Sequence, residues 1–533
     1  MIHILYYSAL YLAVFLPLTL IIYNIVSQKH RPVVLLAASY IFFWSMSERL
    51  IVYILLTTFA IHYAGMWMGK IQYDFNKKIE ACEERSEKKA LKETCKKNQR
   101  KVMVVVVILL LATLLVLKYT PFFLGNINSI ITLINPKYVI PIPTFIMPLG
   151  ISFYTLEAIS YLCDIYRKKI KPDYNLLRLA LYLSFFPKIT EGPICRYSDT
   201  AKALYDGKRS TFNNWVFGAE RIAYGMLKKI VVADRLNIFI TNVYKDYADK
   251  DGGIVMLAMF CYTCQLYMEF SGTMDIVIGS AEMLGIKMPE NFRQPFFSCS
   301  ITEFWQRWHI TLGTWLRDYI FYPIIMTEPL TKLTKKARKK IGKHLGSLTS
   351  GTIALFVVWA CNGLWHGSAW NYIFFGMYHF VLITLENVFD PWFETLAQKM
   401  HINRKALPYK IFQGLRTVLL VCVGELFFRA EGLRAGLVMF KNLVTNFSFS
   451  KFADGSVLKM GMDGKDYIIV GITILLVLAV SIAKEKGINI RQKIAERNIV
   501  VRYIIYVAVI VYIVIFGAYG VGYVPIDPIY ANF

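Results

Sequence analysis

From Leu5 to Val26 the chain runs without a single charged side chain, and Val102–Leu117 does the same. Comparable stretches recur to the end of its 533 residues. A bilayer core takes about 20 apolar residues in helical form. No water reaches the backbone there, so each N–H and C=O must be satisfied within the segment. The predicted fold class is therefore all-α. It is a polytopic helical membrane protein with about eleven transmembrane helices, plus re-entrant and interfacial helices around a central tunnel. With 56% hydrophobic residues and a mean hydropathy of +0.44, the chain is too apolar for a string of soluble domains. One membrane-embedded domain over 1–533 is expected.

A net charge of +24 raises the question of nucleic acid. The cations answer it, because they cluster in short loops between apolar runs, as cytoplasmic loops do. Lys29-His30-Arg31 ends the first run on the cytoplasmic side. Residues 70–101, rich in Lys and Glu, form a charged cytoplasmic segment whose spacings favour helical ion pairs. After Val102–Leu117 an almost uncharged outer loop is expected as far as Pro143. Lys332–His344 holds seven Lys/Arg and no acid, a basic cytoplasmic loop. The first run has no small-residue cleavage site, so no cleaved signal peptide is expected.

The nine cysteines show no metal pattern; Cys261 and Cys264 lie within an apolar helix with no histidine nearby. No metal site and no bound cofactor are expected. Glu157 and Asp164 are seven apart on one helical face. They serve either as buried hydrogen-bonding carboxylates or as the polar wall of a substrate tunnel. Pro187, Gly192 and Pro193 leave Leu181–Tyr197 too broken to span, which suits a re-entrant segment with Lys188, Glu191 and Arg196 facing water. Glu269 and Asp275 flank Gly272, a bend or close packing site. Pro289–Phe296 reads as a turn-rich connector.

Titratable side chains within apolar sequence are costly and mark candidate sites. Two histidines stand out. On a helix, Trp305, His309, Leu312 and Leu316 form one stripe, with Arg307 beside it. His309 is either a hydrogen-bonded packing residue or part of an active site. His366 lies about 15 residues beyond Gly351, where a helix is expected to start. At 1.5 Å per residue that places it roughly 22 Å into a core about 30 Å thick. Asn362, one turn earlier, is positioned to orient it. Gly363 and Gly367 leave room for a ligand or another chain. His379 is a weaker candidate.

Five motifs together carry a resemblance: RWHITLGTWLRDYIFYPI, NGLWHGSAWNYIFFGMYH, FSGTMDIVIG, EGPICRY and GELFFRAEG. In this order they resemble the membrane-bound O-acyltransferase family, in its branch of bacterial alginate and other polysaccharide O-acetyltransferases. The likeness runs from about Tyr11 to the end. It implies that His366 in LWHG is the catalytic histidine and His309 in RWH its second. Asn362, Arg307, Trp305 and Trp365 would support them. Teichoic-acid D-alanylation proteins share both histidine positions. Thr273-Met274 departs from the branch, which touches substrate choice.

The implied activity moves an acyl group, expected to be acetyl, from a cytoplasmic thioester donor across the membrane. The donor would be acetyl-CoA or an acyl carrier. The acceptor would be an extracytoplasmic polysaccharide or cell-wall polymer. A secreted or membrane-anchored SGNH-hydrolase-like transferase is the expected outer partner, and the bacterial cytoplasmic membrane the location. D-alanyl transfer to teichoic acid is the alternative within the class; a transporter or flippase for a polymer precursor is the alternative outside it. The tail, residues 519–533, has one acid and no cation and is expected outside. It ends PIYANF, which resembles a Tyr-x-x-Phe terminal motif of related acyltransferases. That likeness makes Tyr530 a candidate acyl relay; the other reading is an interfacial anchor.

Overall fold

The computed structural model describes residues 4–519, and every regular element among them is helical. Eight helical runs are long and apolar enough to cross a membrane, against about eleven expected from the sequence. Shorter apolar pieces such as Tyr11–Ile25 account for part of the difference. The chain is thus an all-α, multi-pass membrane protein. Its described residues divide into two compact units: 4–219 with 277–289, and 220–276 with 290–519.

In the first unit, α1 (Leu16–Ile25) and α2 (Arg31–Ser47) each carry proline in the first turn, where its missing N–H would have no helical partner anyway. Glu48, at φ +44°, turns the chain into α3 (Ile51–Ala81). Next comes α4 (Arg85–Ile134), 50 residues long, about 75 Å at the helical rise. The charged segment 70–101 is therefore not a separate helix. It is the end of α3 and the start of α4, folded back so that the Gln99 side chain donates to the Met68 carbonyl at 3.0 Å. The expected outer loop is corrected as well, for α4 stays helical to Ile134. That stretch has little charge to expose and only Pro121 to interrupt it.

The next helix, α5 (Ile151–Tyr166), is buried almost throughout. Between α6 (Leu176–Ser184) and α7 (Tyr197–Asp206) the backbone is irregular, as the prolines require. Lys188 and Glu191 do not face water there; they are 2% and 3% exposed. The Lys188 ammonium donates to Glu157, whose other oxygen accepts from the Cys195 N–H at 3.0 Å. Irregular backbone and a buried cation both need internal partners. Glu157 supplies them, which is its structural role.

From the first unit into the second runs α8 (Phe212–Met226). Then follow α9 (Asp234–Lys245), α10 (Gly252–Met283), the short α11 (Ile301–Arg307), α12 (Ile310–Leu316) and α13 (Tyr322–Ile325), and α14 (Glu328–Ile341). The hairpin of α15 (Lys343–His366) and α16 (Trp370–Lys399) leads to α17 (Leu407–Arg429) and α18 (Leu433–Thr445). The chain closes with α19 (Ser450–Ala453), α20 (Gly464–Glu485), α21 (Ile490–Ala495) and α22 (Ile499–Phe516). The basic loop is thus the helix α14, with its cations outward.

Gly272 marks close packing rather than a bend. A Cβ on Gly225 would lie 2.5 Å from the Gly272 carbonyl, so α8 and α10 meet backbone to backbone. Just beyond, the chain buries two lysines. Lys228 pairs with Asp275 at 2.5 Å, and Lys229 with Asp234 at 2.7 Å and Glu269 at 2.8 Å. Arg221 adds a 2.9 Å bond to Asp275. The acids flanking Gly272 are the counter-charges of these cations.

Candidate active site

The segment around His309 is not one helix. The sequence stripe of Trp305, His309, Leu312 and Leu316 is broken, because α11 ends at Arg307 and α12 starts at Ile310. His309 itself sits in the left-handed region, at φ +47° and ψ +50°. Such a conformation costs about 1–3 kcal/mol outside glycine and survives only where the surroundings impose it. The connector Pro289–Phe296 imposes it here. Phe292 and Trp308 form an antiparallel bridge. The Arg293 N–H donates to the Arg307 carbonyl at 2.9 Å, and the Ile310 N–H to the Asn291 carbonyl at 3.0 Å. With its main chain held on both sides, His309 must turn.

Its ring is held as firmly. The Asn291 Oδ1 lies 3.2 Å from His309 Nδ1, and accepts from the Thr311 N–H at 3.1 Å and the Thr311 hydroxyl at 2.9 Å. Phe270 meets the imidazole edge to face at 4.8 Å. His309 is 3% exposed and lies outside the eight membrane-length runs. Burial pushes its imidazole well below the ordinary value, and the charge of His366 pushes the same way.

His366 is the last residue of α15, and Gly367 to Ala369 turn the chain into α16. The helix begins earlier than Gly351, at Lys343, so the histidine stands at the turn of a helical hairpin. Glycines let that hairpin close. A Cβ on Gly376 would lie 2.4 Å from the Trp359 carbonyl, and one on Gly367 would lie 2.3 Å from the Tyr372 ring. The space beside these glycines is filled by the protein itself. His366 is 7% exposed. Its ring meets Trp365 at 5.0 Å, Phe428 at 5.1 Å and Phe375 at 6.1 Å. The Trp365 ring also lies 5.6 Å from His309. One indole therefore meets both imidazoles, and both histidines lie in the second unit.

The remaining candidates are placed differently. Asn362 is buried but makes no hydrogen bond to His366; its Oδ1 has no partner among the described residues. The Trp305 ring packs on His379, whose Nδ1 accepts from its Nε1 at 3.2 Å. His379 also stacks on Trp359 at 5.4 Å. It is a packing hub among aromatic rings. Arg307 forms ion pairs with Glu303 at 2.7 Å and Glu485 at 2.9 Å. Tyr530 lies outside the described residues.

A small pocket beside this site is lined by Asn291, Arg221, Lys228, Asp275, Glu290 and Lys484 among others. No group of side chains able to hold a metal ion occurs among the described residues. Asn291 is the residue that sequence reasoning passed over. Its only sequence signal is its place in the connector, because its partners lie 18 and 20 residues away.

A model of the membrane-bound O-acyltransferase family matches residues 165–337 and 339–421. The probable alginate O-acetylase of Pseudomonas syringae pv. tomato is 31% identical over 427 residues, 80% of this chain and 72% of that protein. The peptidoglycan O-acetyltransferase of Helicobacter pylori is 28% identical over 353 residues, 61% of each chain. The teichoic acid D-alanyltransferase of Bacillus subtilis is 32% identical over 283 residues, 52% of this chain and 68% of that one.

Proposed function

The chain belongs to the membrane-bound O-acyltransferase family, and on that premise we propose that it carries an acetyl group from a cytoplasmic thioester to a hydroxyl of an extracytoplasmic polysaccharide or cell-wall polymer. That it is an O-acyltransferase of the membrane follows from the family. Donor, direction and acceptor are the reading offered here. The observation that carries it is the pair of buried histidines that share contact with the Trp365 ring, in a chain of membrane-length helices.

Acyl transfer to an alcohol needs a group that takes a proton near neutral pH and gives it back, and imidazole is suited to both. In the proposed reaction His366 takes the proton of the acceptor hydroxyl. The oxygen bonds to the thioester carbonyl carbon, forming a tetrahedral oxyanion. Its collapse breaks the C–S bond, and the thiolate leaves with the proton from His366. Atoms and charge balance without a metal. Asn362, buried one turn before His366, offers its NH2 group to the oxyanion. Arg307, tied to Glu303 and Glu485, holds the approach to His309. The donor enters from the side bearing α14 and the cations 484–497, taken as cytoplasmic by the positive-inside rule. We locate the protein in the cytoplasmic membrane, a reading that its bacterial relatives support, with a secreted or anchored transferase as its outer partner.

The acetylated product is directly readable. Mass spectra of cell-surface polysaccharide should show ester-linked acetyl that disappears when the gene is deleted and returns with it. D-alanyl ester in its place would favour the reading suggested by the Bacillus relative. Unchanged esters of both kinds would remove the proposal.

A further inference from the structure

We propose that Asn291 is a positioning residue that keeps the proton of His309 on Nδ1, so that Nε2 is the nitrogen left to accept from substrate. This rests on the reading that His309 shares the transfer site with His366. The argument is one of donors and acceptors. A main-chain N–H can only donate, so the Asn291 atom facing the Thr311 N–H at 3.1 Å is the carboxamide oxygen. The Thr311 hydroxyl, 2.9 Å from the same atom, fits that orientation. On its other side the Asn291 NH2 group meets the Met274 sulfur at 3.3 Å, a weak acceptor, so the amide cannot be flipped without placing donor against donor. An amide oxygen cannot donate. The imidazole nitrogen 3.2 Å from it therefore carries the hydrogen. In a neutral ring the lone pair then falls on Nε2.

Asn291 is anchored for this task by two further bonds of its segment, from Ile310 to its own carbonyl and between Arg293 and Arg307. Asn291 and Met274 both line the neighbouring pocket. The consequence for chemistry is definite. A neutral His309 with this proton placement accepts through Nε2 and cannot donate through it. It therefore cannot stabilise an oxyanion there. It is suited to accept from a second hydroxyl or an amide N–H of a bound substrate and hold that molecule in place, which leaves the reacting hydroxyl to His366. Asn291, which holds His309, borders a pocket lined by Arg221, Lys228, Asp275, Glu290 and Lys484. His366 acts on His309 through space, and Arg307, two residues earlier, is tied to Glu303 and Glu485.

The test uses the full-length protein with ¹⁵N-labelled histidine, in lipid, at neutral pH. The His309 signal is identified by its loss in His309→Gln. We expect a pyridine-type Nε2 and a protonated Nδ1; a pyridine-type Nδ1 overturns the assignment whether or not the protein turns over substrate. The second arm is Asn291→Asp. An aspartate keeps the oxygen for Thr311 but sets a negative charge against Nδ1, favouring imidazolium. The His309 titration should then move up by about 1–3 units. The kcat should fall below the new midpoint and recover above it. A midpoint unchanged by the aspartate, or a kcat lowered equally at every pH, would mean that Asn291 only supports the fold. If Asn291→Asp fails to fold, the wild-type spectrum alone decides. Should the spectrum agree while no acyl transfer to any alcohol is found, the proton placement stands and the catalytic reading falls.

Discussion

Replacing His366 with alanine should lower acyl transfer by about 10²–10⁴-fold while the protein still folds and inserts. That range is the usual cost of removing a general base. The fold should survive, because the contacts of His366 are with the rings of Trp365, Phe375 and Phe428 and the hairpin turn is set by the glycines. Alanine leaves a small cavity at a helix end, not a broken helix. Transfer is to be measured with purified protein at saturating donor, beside a melting curve to confirm folding. A loss confined to KM would make His366 a binding residue. Activity within about tenfold of wild type would exclude the base.

The second large effect is on stability. Lys229→Met should cost about 3–5 kcal/mol, the usual price of stranding a buried charge. Its ammonium lies between Asp234 and Glu269, and the side chains of all three are at most 4% exposed. Methionine fills the volume but leaves two carboxylates buried without their cation. Adding Glu269→Gln should restore part of the loss, because one of the two charges is then gone. Unfolding in detergent, followed by denaturant or heat, reads both. A single variant within about 1 kcal/mol of wild type would show that the cluster is solvated in the membrane.

How much of this was legible in the chain depends on how far apart the partners are. His366 was readable because its whole setting is local: an apolar run, an adjacent indole and a glycine on either side within a few residues. The hairpin then brings Phe375 of α16 to it, and α17 brings Phe428. His309 was readable as a candidate but not as a shape. The 3.6-residue period continues smoothly through Trp305 to Leu316, and nothing in it records that Phe292 will capture Trp308 and force a left-handed turn. Trp305 was misplaced for the same reason; once the helix breaks, its indole belongs to His379.

Charges were harder still. Lys228 and Lys229 are adjacent cations in the sequence, yet Asp275 and Glu269, forty or more positions later, take them into the interior. Lys188 looks solvent-facing until Glu157 supplies its partner. Positive-inside reasoning counts cations but cannot say which have buried acids waiting for them. The helices themselves were read well where polarity changes sharply. Segment 70–101 was read as helical, but its turn at 82–84 follows from the packing of α3 on α4.

The central claim is that a thioester presented on the cationic face is consumed through His366. The direct measurement reconstitutes the protein in sealed vesicles of known orientation. Labelled acetyl thioester is supplied on one side and a soluble polysaccharide acceptor on the other. Label should reach the acceptor only when the donor is on the side bearing Lys332–Lys343, and His366→Ala should abolish it. Equal transfer from either side, or transfer that persists in His366→Ala, would contradict the account.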